Sequence, residues 1–409
     1  MLFPDYPVFC NVIPGVQSLP ASLHRNFSEV ISQVQQSGVI KIGVIGTRGF
    51  PGVQGGIETH CMELYTRIAG RNEMQITVYR RTPYLNERNS NSRFPNIRFV
   101  DIPVPKSKNF ETLLHSLFAT FHALFQNFDI VHYHNTGPGF FIPLLKLTRS
   151  KVIFTYHNIS YTQKKWSRPA KMFLGNSEKI CLTHSDFVIF ISEKIKSDML
   201  LKYNIPGYEV IANGVNLPVK STKSDYIDSL GLEKQKYIIS VGRFLDEKGF
   251  DYLIRAFRKT EITQYKLVIA GDTDYPTDYS RKIREMAQQN NVTLTGFIQG
   301  EKLEQIYSFA RLFVIPSFEE GMPIALLEAM SYDIDVLASD IGANKQIGLD
   351  EEDYFRVGDE DDLGEKIVRK LGKRKDRKHR EFLARNYNWD DIALKTENIY
   401  KKIICNHEN

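Results

Sequence analysis

Leu312–Met330 (LFVIPSFEEGMPIALLEAM) is the stretch from which the rest of this 409-residue chain can be read. Leu312 to Ile315 is a short apolar run that stops at Pro316, the pattern of a buried strand. Gly321 then lets the backbone approach a ligand closely. Pro323 suits a first helical turn, where its missing N–H costs nothing, and Ala325–Met330 propagates a helix. A strand running straight into a helix start leaves free backbone amides at the strand's carboxyl end, and these favour an anion. Two carboxylates flank the turn, Glu320 just before the helix and Glu328 more than one turn into it. An acid beside a bound anion is repelled by it, so both are better matched to hydroxyl groups of the same ligand. Acidic residues at a helix start are also ordinary dipole partners, so the segment needs support from elsewhere.

Tyr237–Ile254 (YIISVGRFLDEKGFDYLI) supplies it, as a strand, a turn and a helix with Arg243 at the strand's end and Lys248 in the turn. Both cations fall at the carboxyl edge of a parallel sheet, where open α/β folds hold their ligands. Arg243 offers a planar fork to phosphate oxygens and Lys248 a mobile point charge. Nearer the amino terminus, Val39–Gly46 (VIKIGVIG) is a first buried strand. The loop Thr47–Glu58 (TRGFPGVQGGIE) leads from it into an apolar-periodic helix over Thr59–Ile68. Four glycines in that loop permit positive φ and close approach to phosphate, though the spacing is not Gly-x-Gly-x-x-Gly. His157 ends the strand Lys151–Tyr156, so its imidazole is expected to project into the crevice.

Strand-like runs at 40–46, 75–79, 97–102, 129–133, 151–156 and 186–191 alternate with helical patterns, as do runs at 237–241, 266–270, 292–296, 312–316 and 335–339. Alternation of this kind predicts an α/β protein with parallel sheets covered by helices on both faces. The length suits two domains. Their expected limits are 39–215 and 216–385, divided by the polar, aperiodic stretch Ala212–Ser224, with a last helical segment at 386–409. Residues 1–38 have prolines and weak periodicity, and lack the charged start and apolar core of a signal peptide. They read as an N-terminal extension of disordered or accessory type.

Gly242-Arg243 through Lys248-Gly249, followed by Glu320 and Glu328, resembles the donor half of the retaining glycosyltransferase family 4. The resemblance covers roughly residues 40 to 400. It implies the GT-B fold, two Rossmann-like domains facing across a cleft. It further implies that Arg243 and Lys248 hold the donor diphosphate, that Glu320 contacts the transferred sugar, and that Glu328 bonds the ribose. Gly55 and Gly56, from the Gly-Gly-x-Glu end of the first loop, would face the donor phosphate. Gly271, Phe297, Gly321, Met322 and Pro323 complete the implied donor-binding set, and His157 falls where the family contacts the donor sugar. The implied catalytic group is therefore Arg243, Lys248, Glu320 and His157. Gly46–Pro51, Gly55–Thr59, Lys165-Trp166 and Glu178-Lys179 resemble a bacterial subgroup rich in rhamnosyltransferases of capsule and O-antigen assembly. His157–Tyr161 (HNISY) departs from that subgroup's usual Gly-Leu-Asp/Glu-Trp.

The resemblance thus implies transfer of a rhamnose-, galactose- or glucose-type hexose from a nucleoside diphosphate sugar to a saccharide, often lipid-linked. A sugar-nucleotide epimerase and a catalytically silent assembly partner are the alternatives. No metal cofactor is expected. Asp272-Thr-Asp274 follows the second strand of its domain, where the resemblance places the nucleobase, and reads as loop residues with base or ribose contact as the alternative; His132, His134 and His157 lack the helical spacing of a zinc motif. Residues 1–210 carry 23 Lys and Arg against 14 Asp and Glu, an excess suited to an anionic acceptor or membrane surface. Lys373–Arg380 reads as a solvated helix face, so nucleic acid is not an expected partner. Apolar residues from Phe110 to Phe128 recur at helical spacing, which predicts a core-facing stripe; peripheral contact with the inner membrane is the alternative reading. Cys10, Cys61, Cys181 and Cys405 have no metal or redox spacing, so a reducing cytoplasm is the expected setting.

Overall fold

The two halves of the chain each build a parallel sheet. The computed structural model describes residues 38–107, 110–158, 167–373 and 379–405. Most of the N-terminal extension, Cys10, Ile159–Tyr161, Lys165-Trp166 and much of the basic run after Lys373 lie outside the described residues. The first sheet contains β1 (Ile40–Ile45), β2 (Met74–Arg81), β3 (Ile97–Ile102), β4 (Ile130–His134), β5 (Lys151–Tyr156), β6 (Phe187–Phe190) and β7 (Tyr208–Val210), in the order β3-β2-β1-β4-β5-β6-β7. The second contains β8 (Tyr237–Val241), β9 (Lys266–Ala270), β10 (Thr293–Gly296), β11 (Leu312–Ile315), β12 (Asp335–Ser339) and β13 (Tyr354–Phe355), in the order β10-β9-β8-β11-β12-β13. These are the parallel sheets that the alternating pattern predicts, with the Rossmann-like order that the resemblance implies. Only the short edge strands β7 and β13, of three and two residues, escape it.

The central strands are buried along most of their length because helices cover both of their faces. Every residue of β4 and β11 is buried. The order reverses between β1 and β4 in one sheet and between β8 and β11 in the other, and each reversal opens a crevice at the carboxyl ends. Six helices matter below: α1 (Gly56–Ala69), α2 (Glu111–Leu124), α3 (Arg168–His184), α4 (Phe250–Lys259), α5 (Ile324–Ser331) and α6 (Trp389–Cys405). α1 follows β1 and α5 follows β11, so both start at a crevice.

α6 ends the chain packed on α1, in the first half. Its entry is tightly built: Val215 pairs with Asn388, and a Cβ on Gly214 would lie 2.6 Å from the Trp389 ring. Further along, Tyr400 reaches His132 at 2.6 Å and Arg71 pairs with Glu397 at 3.0 Å. The chain therefore crosses between the two sheets twice.

The core-facing stripe is found only in part. Leu114, Leu124 and Phe128 pack on the core, but α2 turns its other aromatic residues outward. Glu111, His115, Ser116, Ala119, Thr120 and Ala123 form its buried face, while Phe110, Phe118, Phe121 and Phe125 are exposed. Two of the buried polar groups are partnered there: Arg81 pairs with Glu111 at 2.9 Å, and Thr120 bonds the Tyr133 hydroxyl at 2.6 Å. Small residues at Ala119 and Ala123 let the helix lie close to the sheet, a placement that hydrophobic periodicity alone cannot foresee.

Candidate active site

Three loops of the second half converge at the carboxyl ends of β8, β9 and β11. Gly249 adopts the left-handed conformation (φ 66°), and a Cβ there would stand 2.3 Å from the Pro316 carbonyl, so the turn after β8 lies directly on the turn after β11. Phe318 N donates to the Glu247 carbonyl at 2.8 Å and ties them further. This contact brings Lys248 to Glu320: Nζ and Oε1 are 2.6 Å apart, and Ser317 Oγ donates to the same carboxylate oxygen at 2.7 Å. Gly271 holds φ 140°, and a Cβ there would meet the Gly242 carbonyl at 1.9 Å, which seats the loop after β9 beside Arg243.

The first half closes over these loops. A Cβ on Gly321 would lie 1.9 Å from the His157 carbonyl, so only glycine lets the end of β5 touch the turn that precedes α5. An added Cβ on Gly56 would sit 3.7 Å from Ile324, so the amino-terminal ends of α1 and α5 face one another. Two helix starts directed at one point concentrate positive potential and unpaired amides there. The Met322 side chain is buried, and Asn213 N lies 3.1 Å from its Sδ, fixing the turn to the segment that joins the halves. Pro323 caps α5 rather than entering it. Phe297 is exposed beyond the end of β10.

Charged contacts also span the crevice. Arg48, in the loop after β1, bonds Glu58 at 3.2 Å and Asp274 of the second half at 2.5 Å. Arg243 stands 3.7 Å from the same Asp274. Burial pushes the Glu58 carboxyl up, but Arg48 outweighs it and holds the group below the usual range, with Arg243 contributing. Tyr275 donates to Glu111 at 2.7 Å, a second bridge between the halves. None of Arg48, Glu58, Tyr275 or Glu111 carries a role in the sequence reading. The signal for the first two was present, since both lie within the glycine-rich loop. Asp274, a loop residue with base or ribose contact as its alternative in the sequence reading, instead bridges the halves.

Glu328 is part-buried and accepts from the Tyr307 hydroxyl at 3.1 Å. Burial raises its carboxyl to about 7; the Tyr307 bond opposes this and Glu63 of α1 adds to it. Glu320 and Glu328 thus differ physically. The first is paired with a cation, and the second is an acid that burial keeps partly protonated at neutral pH.

His157 does not project into the crevice. It is buried, with Nε2 3.0 Å from His134 Nδ1 and its ring edge-on to His60 at 4.9 Å. Burial, then His60 and His132, holds its imidazole well below the ordinary range, so it is neutral at pH 7. Its backbone carbonyl, against Gly321, is what reaches the turn. His60, His134 and His157 offer nitrogens within 4.8 Å of one another, a grouping in which His60 of α1 takes the place given to His132 from sequence. His60 Nδ1 is 2.8 Å from Asn213 Oδ1, whereas His132 is engaged by Tyr400 and Thr155.

The family model described as "Glycosyltransferase Family 4" matches residues 54–218, and "Glycosyl transferases group 1" matches 222–392. An uncharacterized glycosyltransferase of Methanocaldococcus jannaschii is 30% identical over 298 residues, 67% of this chain and 75% of its own length. The chain belongs to glycosyltransferase family 4. This glycosyltransferase is also similar to O-antigen chain mannosyltransferase B of Escherichia coli, at 24% identity over 67% of this chain and 75% of that protein. In fold, it matches the Anabaena HepE structure in complex with UDP-glucose, with a TM-score of 0.71 and 15% identity over 89% of this chain and all of that one. Its two halves are those of the GT-B fold.

Proposed function

We propose that this glycosyltransferase moves a hexose from a nucleoside diphosphate sugar to a hydroxyl of a saccharide, with retention at the anomeric carbon, in the assembly of a bacterial surface polysaccharide. The observation that carries the reading is the convergence, at one point between the sheets, of the α1 and α5 amino termini with Lys248 and Arg243. That point has the charge and donors for a diphosphate without a metal. Glu320 and Glu328 lie on either side of the α5 start, in reach of sugar and ribose hydroxyls. The likeness to the O-antigen enzyme supports the polysaccharide setting and adds mannose to the rhamnose-, galactose- and glucose-type donors. The UDP-glucose complex of the Anabaena protein supports a nucleotide-sugar donor.

In this mechanism Lys248 exchanges Glu320 for a phosphate oxygen when donor binds, and Arg243 likewise leaves Asp274. The released Glu320 then meets the sugar. The departing diphosphate, held by both cations and the helix amides, takes the proton from the attacking hydroxyl on the same face. His157, neutral and buried, acts by placing its carbonyl against Gly321 rather than by proton transfer.

The test is thermal shift against UDP, GDP, dTDP and their sugar conjugates, with and without EDTA, followed by product analysis. One nucleotide is expected to stabilise the protein equally in both conditions; at 100 times its dissociation constant the gain is about 2.7 kcal/mol. Arg243→Ala or Lys248→Ala should lower turnover about 10²-fold or more, the scale of one lost oxyanion donor. Unchanged turnover in both variants overturns the assignment. Conversion of donor without any acceptor would identify an epimerase instead.

A further inference from the structure

The outer face of α2 is unusual for a surface helix. Phe110, Phe118, Phe121 and Phe125 are 61, 48, 57 and 72% exposed, although aromatic side chains of this size normally bury most of their surface. Neighbouring elements extend the face. α2 packs on the turn Pro138–Phe141 and the short helix Ile142–Leu145, which pack in turn on α3. Leu147, two residues past that short helix, and Met172 of α3 are 82 and 69% exposed. An apolar surface of this kind marks a contact that the protein makes with something else.

Charge identifies the occupant. Residues 103–184, which contain all of these elements, hold ten Lys and Arg but three Asp and Glu. Two of those three acids, Glu111 and Glu178, are buried, leaving Asp129 as the exposed one. Lys106, Arg149, Arg168 and Lys179 are exposed, as is Lys146, which pairs with Asp186 at 2.8 Å. α2 has no lysines of its own because its polar side faces the protein, so adjoining segments carry the positive charge. Aromatic residues among cations, with almost no exposed acid, match the interface of an anionic bilayer. A water-soluble protein partner would not require the near-absence of acids.

The position is informative too. Glu111, in the first turn of α2, bonds Tyr275 of the second half, so the aromatic stripe begins beside the crevice and runs away from it. We infer that this glycosyltransferase docks on an anionic lipid surface through the Phe110–Phe125 face of α2 and the adjoining Leu147 and Met172. Docked in this way, the crevice opens next to the headgroups. An acceptor saccharide carried on a lipid then enters without leaving the membrane. This last consequence rests on the saccharide-transfer reading above; the docking itself does not.

The experiment sediments the full-length protein with vesicles containing phosphatidylglycerol and, in parallel, with vesicles of phosphatidylcholine alone. The wild type is expected to pellet with the anionic vesicles and to be released by salt of about 0.5 M, where screening is nearly complete. Phe121→Ser with Phe125→Ser should lower the partition coefficient about 10-fold or more, at unchanged melting temperature and unchanged transfer to a soluble acceptor. Leu147→Ser with Met172→Ser is the second pair, for use if the first fails to fold. A wild type that stays in the supernatant with anionic vesicles overturns the inference, as does equal pelleting of wild type and variants. A dimer in solution that the same substitutions dissolve overturns it in favour of a second copy on this face. Loss of docking with transfer intact, or transfer lost with docking intact, tells the two proposals apart.

Discussion

Glu328→Gln tests the energetic reading of the donor-side acid most directly. The Glu328 carboxyl has its pKa raised from 4.5 to about 7, chiefly by burial, so the folded protein holds its proton where the unfolded chain has released it. Between those values the native state binds more protons, and stability falls as pH rises. The cost of ionisation is absent below pH 4.5 and complete above about pH 7. At about 1.36 kcal/mol per pH unit it approaches roughly 3 kcal/mol. Because Glu328 is only part-buried, solvent screening reduces this to about 1–2 kcal/mol. A glutamine keeps the shape and its carbonyl still accepts from Tyr307, but it never ionises. The variant should therefore match the wild type near pH 5 and melt about 2–6 °C higher at pH 8, given the usual dependence of melting temperature on free energy for a domain of this size. Thermal melts of both proteins from pH 5 to 8.5, without nucleotide, give the comparison. Parallel curves over that range would refute the argument, and a variant less stable at pH 8 would show that the ionised carboxylate is favourably partnered.

Arg48→Met leaves the buried Glu58 carboxylate without its counter-charge. It is expected to cost about 3–5 kcal/mol in urea unfolding, while Arg48→Met with Glu58→Leu should recover most of the loss. If the single variant unfolds at the wild-type urea concentration, the pair is not the anchor of the glycine-rich loop. Gly321→Ala places a methyl group 1.9 Å from the His157 carbonyl. The two halves must part there, so stability should fall by about 1–3 kcal/mol and turnover with it. Wild-type values of kcat and of melting temperature in that variant would mean that the β5–α5 contact is dispensable.

Much of this protein is legible in its sequence. Strands buried on both faces are rich in apolar residues, so β1, β4, β8 and β11 announce themselves, and Gly242-Arg243, Lys248, Glu320 and Glu328 stand at the strand and helix ends such a fold turns toward its crevice. β7 and β13 are too short, at three and two residues, for period to reveal them. Gly321 was legible as a close approach, but not what it approaches. A glycine's need is local, whereas the His157 carbonyl that imposes it lies 164 positions earlier in the chain.

What only the tertiary structure decided concerns side chains whose meaning depends on a distant partner. Arg48 and Asp274, 226 positions apart, become a bridge across the crevice. His157 is buried among His60 and His134 instead of projecting into the crevice. α2 has a strong apolar stripe, and sequence reasoning turned it inward because burial is the usual fate of such a stripe. Arg81 and Tyr133 instead draw Glu111 and Thr120 to the protein, and the small Ala119 and Ala123 allow that side to pack closely. Periodicity along a chain gives the face of a helix that differs from the rest. Which way that face turns is fixed by the polar partners that the fold brings to the other side.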